Sequence, residues 1–262
     1  MMGEFTFERY EELLRAGLDA GYDHLTVRQY LTRKRADELP ERFVVHRHDV
    51  DRKPENALAM ARLEARLDVP STYYFRTIEK VFRPDLIRQI DALGHEIGYH
   101  YEDMDRAEGD VAAAHDSFRS ELERLRELAE VRTACMHGNP LTSYDNRDMW
   151  ASAPEGQFEE YGLLGEAYLS MDFADVIYFS DTGRTWEDGA LKIKDHTVGE
   201  DGKQRQVGET SELIGLLENR EIPRLCLLTH PNRWAKDSTE MVVENAKDFT
   251  MNAGKRVLNL VR

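Results

Sequence analysis

The chain has 262 residues, 41% of them hydrophobic, which suffices for a proper core and matches the size of a single α/β barrel domain. Its formal net charge is −15, with 50 Asp and Glu against 35 Lys and Arg. That acidity argues against nucleic acid, which needs clustered basic residues, and against an anionic membrane surface. It fits ordinary solubility by charge and, with Lys scarce relative to Arg, also fits a salt-adapted protein.

No stretch approaches the ~18 apolar residues of a membrane span. Residues Met1 to Tyr10 lack a basic start followed by an apolar block, so no signal peptide and a cytoplasmic location are expected. Cys135 and Cys226 sit in apolar runs and read as buried free thiols.

Phe5, Tyr10, Leu13, Leu14 and Leu18 fall at helical spacing, with Gly21 as a stop. A second helix is predicted from Thr26, whose hydroxyl can cap it, to Lys34. From Arg42 the pattern changes. Phe43, Val44 and Val45 lead into Arg47-His48-Asp49-Val50-Asp51, an apolar run ending in polar residues, as in a buried parallel strand. Helix Pro54 to Leu67, strand Ser71 to Arg76, helix Pro84 to Leu93, strand His95 to Tyr101, helix Glu108 to Glu130 and strand Val131 to His137 follow in alternation. Two further strands are expected at Leu163 to Met171 and Val176 to Phe179. A polar hairpin flap is expected over Asp181 to Glu209, then a helix about Leu213 to Leu217. A last strand at Leu225 to Thr229 and a closing helix at Met241 to Val261 end the chain. Strands alternating with helices predict a parallel α/β sheet or barrel in one domain: N-terminal helices over 1–41, the barrel over 42–262.

Barrel enzymes keep their chemistry at the C-terminal ends of strands. Those ends carry Asp49 and Asp51, Arg76, His100, His137, Asp181 and His230. Residues i and i+2 of a strand face the same way, so Arg47, Asp49 and Asp51 converge. Two carboxylates this close resist joint ionisation unless a cation intervenes; a metal on one, with the other as base, resolves the conflict. The bland alternative is a helix cap or a surface turn. His95 and His100, five apart, face opposite ways in a regular strand, which favours His100 as a ligand and leaves His95 to the core or to a supporting shell. His137 opens a strand-to-loop turn and is read as ligand or substrate contact. His230 ends its strand as a candidate catalytic acid. His24, His115 and His196 are read as ordinary surface residues.

At three points the chain resembles the polysaccharide deacetylase superfamily, the NodB-homology fold or carbohydrate esterase family 4. Arg47-His48-Asp49-Val50-Asp51 resembles its first motif, Gly94-His95-Glu96-Ile97-Gly98-Tyr99-His100 its Gly-His-Glu-Ile-Gly-x-His segment, and Leu227-Leu228-Thr229-His230 its final Leu-x-His. The resemblance implies a distorted (β/α)7 barrel with extra N-terminal helices. It also implies Asp49 as base, His230 as acid, Asp51 and His100 as ligands of one divalent ion, zinc, and an N-acetylated sugar as substrate. The first Asp pair is adjacent in the family; here Val50 separates it. Met104 stands where the family's second histidine ligand falls. Glu102, Asp103, His95 and His137 are the candidates for the third ligand, and His137 is preferred because it keeps a two-His, one-Asp set. Looser echoes place Asp181 and Arg184 where they orient the base or bind substrate, and Trp186 and Trp234 where they stack on a sugar. The expected function is a metal-dependent acyl hydrolase acting on a small molecule or glycan. The rivals are a degenerate binding protein of the same fold and a glycosyltransferase using Asp49-Val50-Asp51 as an Asp-x-Asp element. The sequence does not set the oligomeric state.

Overall fold

The structure, a computed structural model, describes residues 4–151, 157–187 and 206–236. Two N-terminal helices are α1 (Phe7–Asp19) and α2 (Val27–Ala36). Thr6 caps α1, and Thr26 and Gln29 form a reciprocal capping box on α2, satisfying amides that a helix start leaves open. Between them lies a strand that the sequence did not announce, β1 (Asp23–Leu25). It is three residues long, two of them polar, and too short to show a period.

The body alternates β2 (Phe43–Val50), α3 (Pro54–Arg66), β3 (Thr72–Phe75), α4 (Pro84–Ala92), β4 (Glu96–Tyr101), α5 (Asp103–Arg106), α6 (Val111–Arg126) and β5 (Val131–Met136). It continues through β6 (Gly165–Glu166), β7 (Ile177–Ser180), α7 (Thr210–Glu218) and β8 (Arg224–Thr229). Pro54 and Pro84 open α3 and α4 at the first turn, where proline's missing N–H costs nothing. The helix expected over Glu108 to Glu130 is shorter, because Asp110 caps it at Val111. The strand expected at Leu163 to Met171 shrinks to two residues, since the Glu166 carboxylate turns the chain by accepting from the Tyr168 and Leu169 amides. Most of the expected flap and the whole closing helix lie outside the described residues, as does His196.

Every strand pairing is parallel, in the order β6-β5-β4-β3-β2-β8-β7, with β1 beside the first half of β2. The fold is thus α/β, a curled parallel sheet of the distorted-barrel kind. Its edge strands β6 and β7 are not hydrogen-bonded to each other; the Tyr168 and Tyr178 hydroxyls meet across the seam at 3.1 Å. Along β2 the alternation of side chains sorts the residues: Arg47 and Asp49 go one way, His46 and His48 the other, toward α1 and α3. All eight residues of β2 are buried, as expected of a central strand covered on both faces. Asp49, His100 and His230 therefore come to the same C-terminal end of the sheet from β2, β4 and β8.

Gly98 in β4 has a steric reason. A Cβ there would lie 2.3 Å from Cε1 of the buried Tyr74 ring on β3. That ring lies 5.8 Å from the Arg47 guanidinium, and its hydroxyl donates to Thr133 Oγ1 at 2.9 Å.

Candidate metal and catalytic site

Three side chains meet at one point. Asp51 Oδ1 lies 3.0 Å from His137 Nδ1 and 3.3 Å from His100 Nε2, and the two histidine nitrogens lie 3.3 Å apart. Ligand atoms about 2.0–2.1 Å from a tetrahedral zinc stand about 3.3 Å from one another. The three edges of this triangle match that spacing. Asp51 Oδ1 is buried and makes no hydrogen bond, which a cation would remedy. His100 Nδ1 faces the Cys135 carbonyl at 3.0 Å, so in the neutral ring the proton sits on Nδ1 and the Nε2 lone pair faces the cluster. The donor set thus fits a divalent ion with an open coordination position, as in catalytic zinc sites. Burial alone would raise the Asp51 carboxyl, but His137, His100 and His230 hold it well below the usual carboxylate range. Burial pushes His100 down, and the Asp49 and Asp51 carboxylates outweigh it, leaving the ring above its usual value.

Asp49 flanks this cluster, its Oδ2 3.6 Å from His100 Nε2. It is 3% exposed and takes a two-pronged hydrogen bond from Arg47, Nε to Oδ1 at 3.0 Å and Nη2 to Oδ2 at 2.8 Å. Burial would raise its pKa; the guanidinium reverses this and keeps Asp49 ionised. Arg47 itself is fully buried, its guanidinium 4.2 Å from the Tyr168 ring centre. The pairing separates the roles of the two aspartates, since Asp51 faces the histidines while Asp49 faces Arg47.

His230 stands on the other flank, Nε2 3.8 Å from Asp51 Oδ2. Its Nδ1 is 2.6 Å from Asp181 Oδ1, and its backbone N–H donates to Asp181 Oδ2 at 2.8 Å. Trp234 Nε1 donates to the same Oδ2 at 2.8 Å. Burial would raise Asp181, but His230 and Arg233 hold it below its usual value. Asp181 therefore fixes the imidazole with Nδ1 protonated and Nε2 toward the cluster.

Several sequence expectations change here. Asp181 orients the candidate acid His230; the partner of the candidate base Asp49 is Arg47, two residues away on its own strand. Trp186 and Trp234 are 0% and 1% exposed, packed with Phe5, so neither can stack on a sugar. Arg184 sits in the turn after β7, its backbone N–H donating to the Asp181 carbonyl at 2.9 Å. His95 precedes β4, roughly 16 Å along the strand from His100. Its Nε2 faces the Ala61 carbonyl of α3 at 2.9 Å, so it sits in the core rather than in the cluster. The period of two that separates it from His100 is the reason.

Glu102 is held by Arg76 and Arg106, and Asp103 by Tyr99 and Ser117, which takes both out of the choice of third ligand. Met104 is a core side chain. His24 is half-buried and stacked on His46, and His115 bonds to Tyr161 and Met149 rather than to solvent. The brace from Trp234 to Asp181 spans 53 positions and leaves no local pattern in the sequence. A second grouping, Asp49, His100 and Cys135, shares His100 with the first and includes the aspartate already held by Arg47.

No family model matches the chain, and no curated protein matches it. Among solved structures it is similar to a CE4 family pseudoenzyme from Bacillus anthracis, at 12% identity and a TM-score of 0.38, over 82% of this chain and 66% of that one. It is similar also to a mutant of that pseudoenzyme with restored enzymatic activity, at 13% identity and a TM-score of 0.38, over 85% of this chain and 69% of that one. The chain thus spans about two thirds of the length of each. Among the described residues, no helix is long and apolar enough to cross a membrane.

Proposed function

We propose that this protein is a metal-dependent hydrolase of the deacetylase type, cleaving an acyl amide or ester, with an N-acetylated sugar as substrate class. The observation that carries the reading is the ligand triangle of Asp51, His100 and His137, flanked by an ionised Asp49 and by His230. A divalent ion there, zinc by the two-imidazole, one-carboxylate set, supplies a Lewis acid for the acyl oxygen and acidifies water at the site.

The chain's own groups do the rest. Asp49 takes the proton of the attacking water as general base. Arg47 keeps that carboxylate ionised and aimed. His230, protonated on both nitrogens, delivers the Nε2 proton to the leaving amine or alcohol while Asp181 holds Nδ1–H. Such acid–base help contributes typically ~10²–10⁴ in rate.

The test is elemental analysis of the wild type, Asp51→Ala and His100→Ala, followed by acetate release from N-acetylglucosamine oligomers. Near-stoichiometric metal in the wild type, lost in both variants, with acetate released only by the wild type, is expected. A wild type that takes up no zinc on incubation removes the reading.

A further inference from the structure

Unlike His100, which lies within β4, His137 stands outside any strand. It lies one residue past the end of β5, and its N–H makes a last ladder-like bond to the Tyr101 carbonyl at 2.7 Å. Beyond it the chain leaves through Gly138, Asn139 and Pro140, with Leu141 75% exposed. A ligand at the root of such a loop needs its backbone fixed by something other than the sheet.

We infer that Asn146, a residue with no part in the chemistry above, is the positioning residue for His137, and that it does so by locking the β5 end to the β4 end. The side chain of Asn146 is 0% exposed and uses both ends of its amide. Nδ2 donates to the His137 carbonyl at 2.8 Å and to Asp105 Oδ2 at 3.0 Å, and Oδ1 accepts from the Asp105 amide at 3.1 Å. Asp105 belongs to α5, five residues after His100. Its other oxygen, Oδ1, accepts from Thr142 Oγ1 at 2.5 Å, and Thr142 is within 3.3 Å of the Asn139 carbonyl.

One buried amide thus ties together the chain following His100 and the chain carrying His137, two ligands 37 positions apart. The loop is closed on itself by nine positions, from His137 to Asn146. Asn146 in turn starts a short 3-10 helix, Asn146–Trp150, capped by Asp145, so its own backbone is fixed before it grips the loop. Outer groups that orient metal ligands typically govern affinity by ~10–100-fold. The inference rests on the metal reading of Asp51, His100 and His137.

The experiment is competition for zinc against a chromophoric chelator, with wild type, His137→Ala, Asn146→Asp and the double variant. Asn146→Asp keeps the shape but sets an acceptor against the His137 carbonyl and the Asp105 carboxylate. It should weaken zinc binding about 10–100-fold, with no further loss in the His137→Ala background. Additive losses in the double variant would mean a general loosening and overturn the assignment, as would wild-type affinity in Asn146→Asp. If that variant fails to fold, Thr142→Val, which releases Asp105 from the outer side, should weaken zinc severalfold; unchanged affinity there overturns the assignment equally. A wild type that binds no zinc removes the proposed function itself. A wild type that binds zinc through His137, indifferent to Asn146, removes only this inference.

Discussion

Arg47 has no exposed surface, and its charge is tolerated inside the sheet only because Asp49 takes two of its N–H groups while Tyr168 and Tyr74 face it. Tyr74 is the hinge of that arrangement. It touches Arg47 on one side and fills, on the other, the space that Gly98 leaves by having no Cβ. An alanine methyl at 98 would sit 2.3 and 2.4 Å from two ring carbons and 3.2 Å from the Thr133 carbonyl. The ring cannot swing freely, because its hydroxyl is tied to Thr133. Gly98→Ala should therefore cost about 1–3 kcal/mol, the usual range for overpacking, and by shifting Arg47 it should lower turnover more than it weakens zinc binding. Urea denaturation, kcat and zinc competition on one preparation check this. Wild-type stability would mean that Tyr74 has room the structure does not show. The glycine of the motif is then explained by packing next to the site rather than by any contact with substrate.

At the scale of elements, the outer face of β2 carries a second polar cluster that the chemistry does not use. Glu64 on α3 accepts from Tyr10 of α1 at 2.6 Å and from Tyr73 of β3 at 2.5 Å, and lies 2.7 Å from His48 Nε2. Nearby, His24 of β1 stacks on His46 of β2, with Nδ1 and Nε2 at 2.7 Å. Burial, against the pull of Glu64 and Asp23, lowers the His24 ring to about 4, and burial with neighbouring histidines puts His46 well below its usual value. In the unfolded chain both rings titrate near 6.5. Above that pH neither state binds the extra proton. Below it the unfolded state does and the folded state resists, so stability falls as pH drops from about 6.5 toward 4. Asp103, raised by burial to about 6, works the other way over most of that window, from about 6 downward. The urea midpoint should therefore decline more steeply with acid in the wild type than in a His24→Phe, His46→Phe double variant; equal slopes would refute the assignment. The same elements show what was legible in the sequence. Strands β2 to β5 and β8 fall within a few residues of expectation because each is an apolar run closed by Pro, Gly or a charge. The convergence of Asp49, Asp51, His100, His137 and His230 was readable because each ends a strand, and parallel strands put their ends together. Among their partners, Arg47 was readable because it lies two residues from Asp49 on one strand; the pairing of Asp181 with His230 was not, since it spans 49 positions, and β1 is too short to carry a period.

For the whole molecule, the surplus of acid decides how the fold responds to salt. A net charge of −15 on 262 residues repels itself at long range, whereas ion pairs such as Arg15–Glu11, Arg28–Glu130 and Arg224–Asp175 attract at short range on the surface. Exposed pairs contribute about 0–1 kcal/mol each, and salt weakens them too. The repulsion is the larger sum, because it involves every unpaired carboxylate within a Debye length, about 10 Å at 0.1 M salt and ~3 Å at 1 M. The buried pairs at the site, Arg47–Asp49 and His230–Asp181, lie beyond the reach of that screening. Raising KCl from 0.05 to ~1 M, the range over which screening becomes nearly complete, should therefore raise the thermal midpoint by several degrees while leaving zinc affinity nearly unchanged. A midpoint that falls with KCl would mean that surface pairing outweighs the repulsion, and the acidity would then be a feature of solubility alone. A midpoint that keeps climbing beyond 1 M, where little remains to be screened, would instead favour adaptation to salt-rich surroundings.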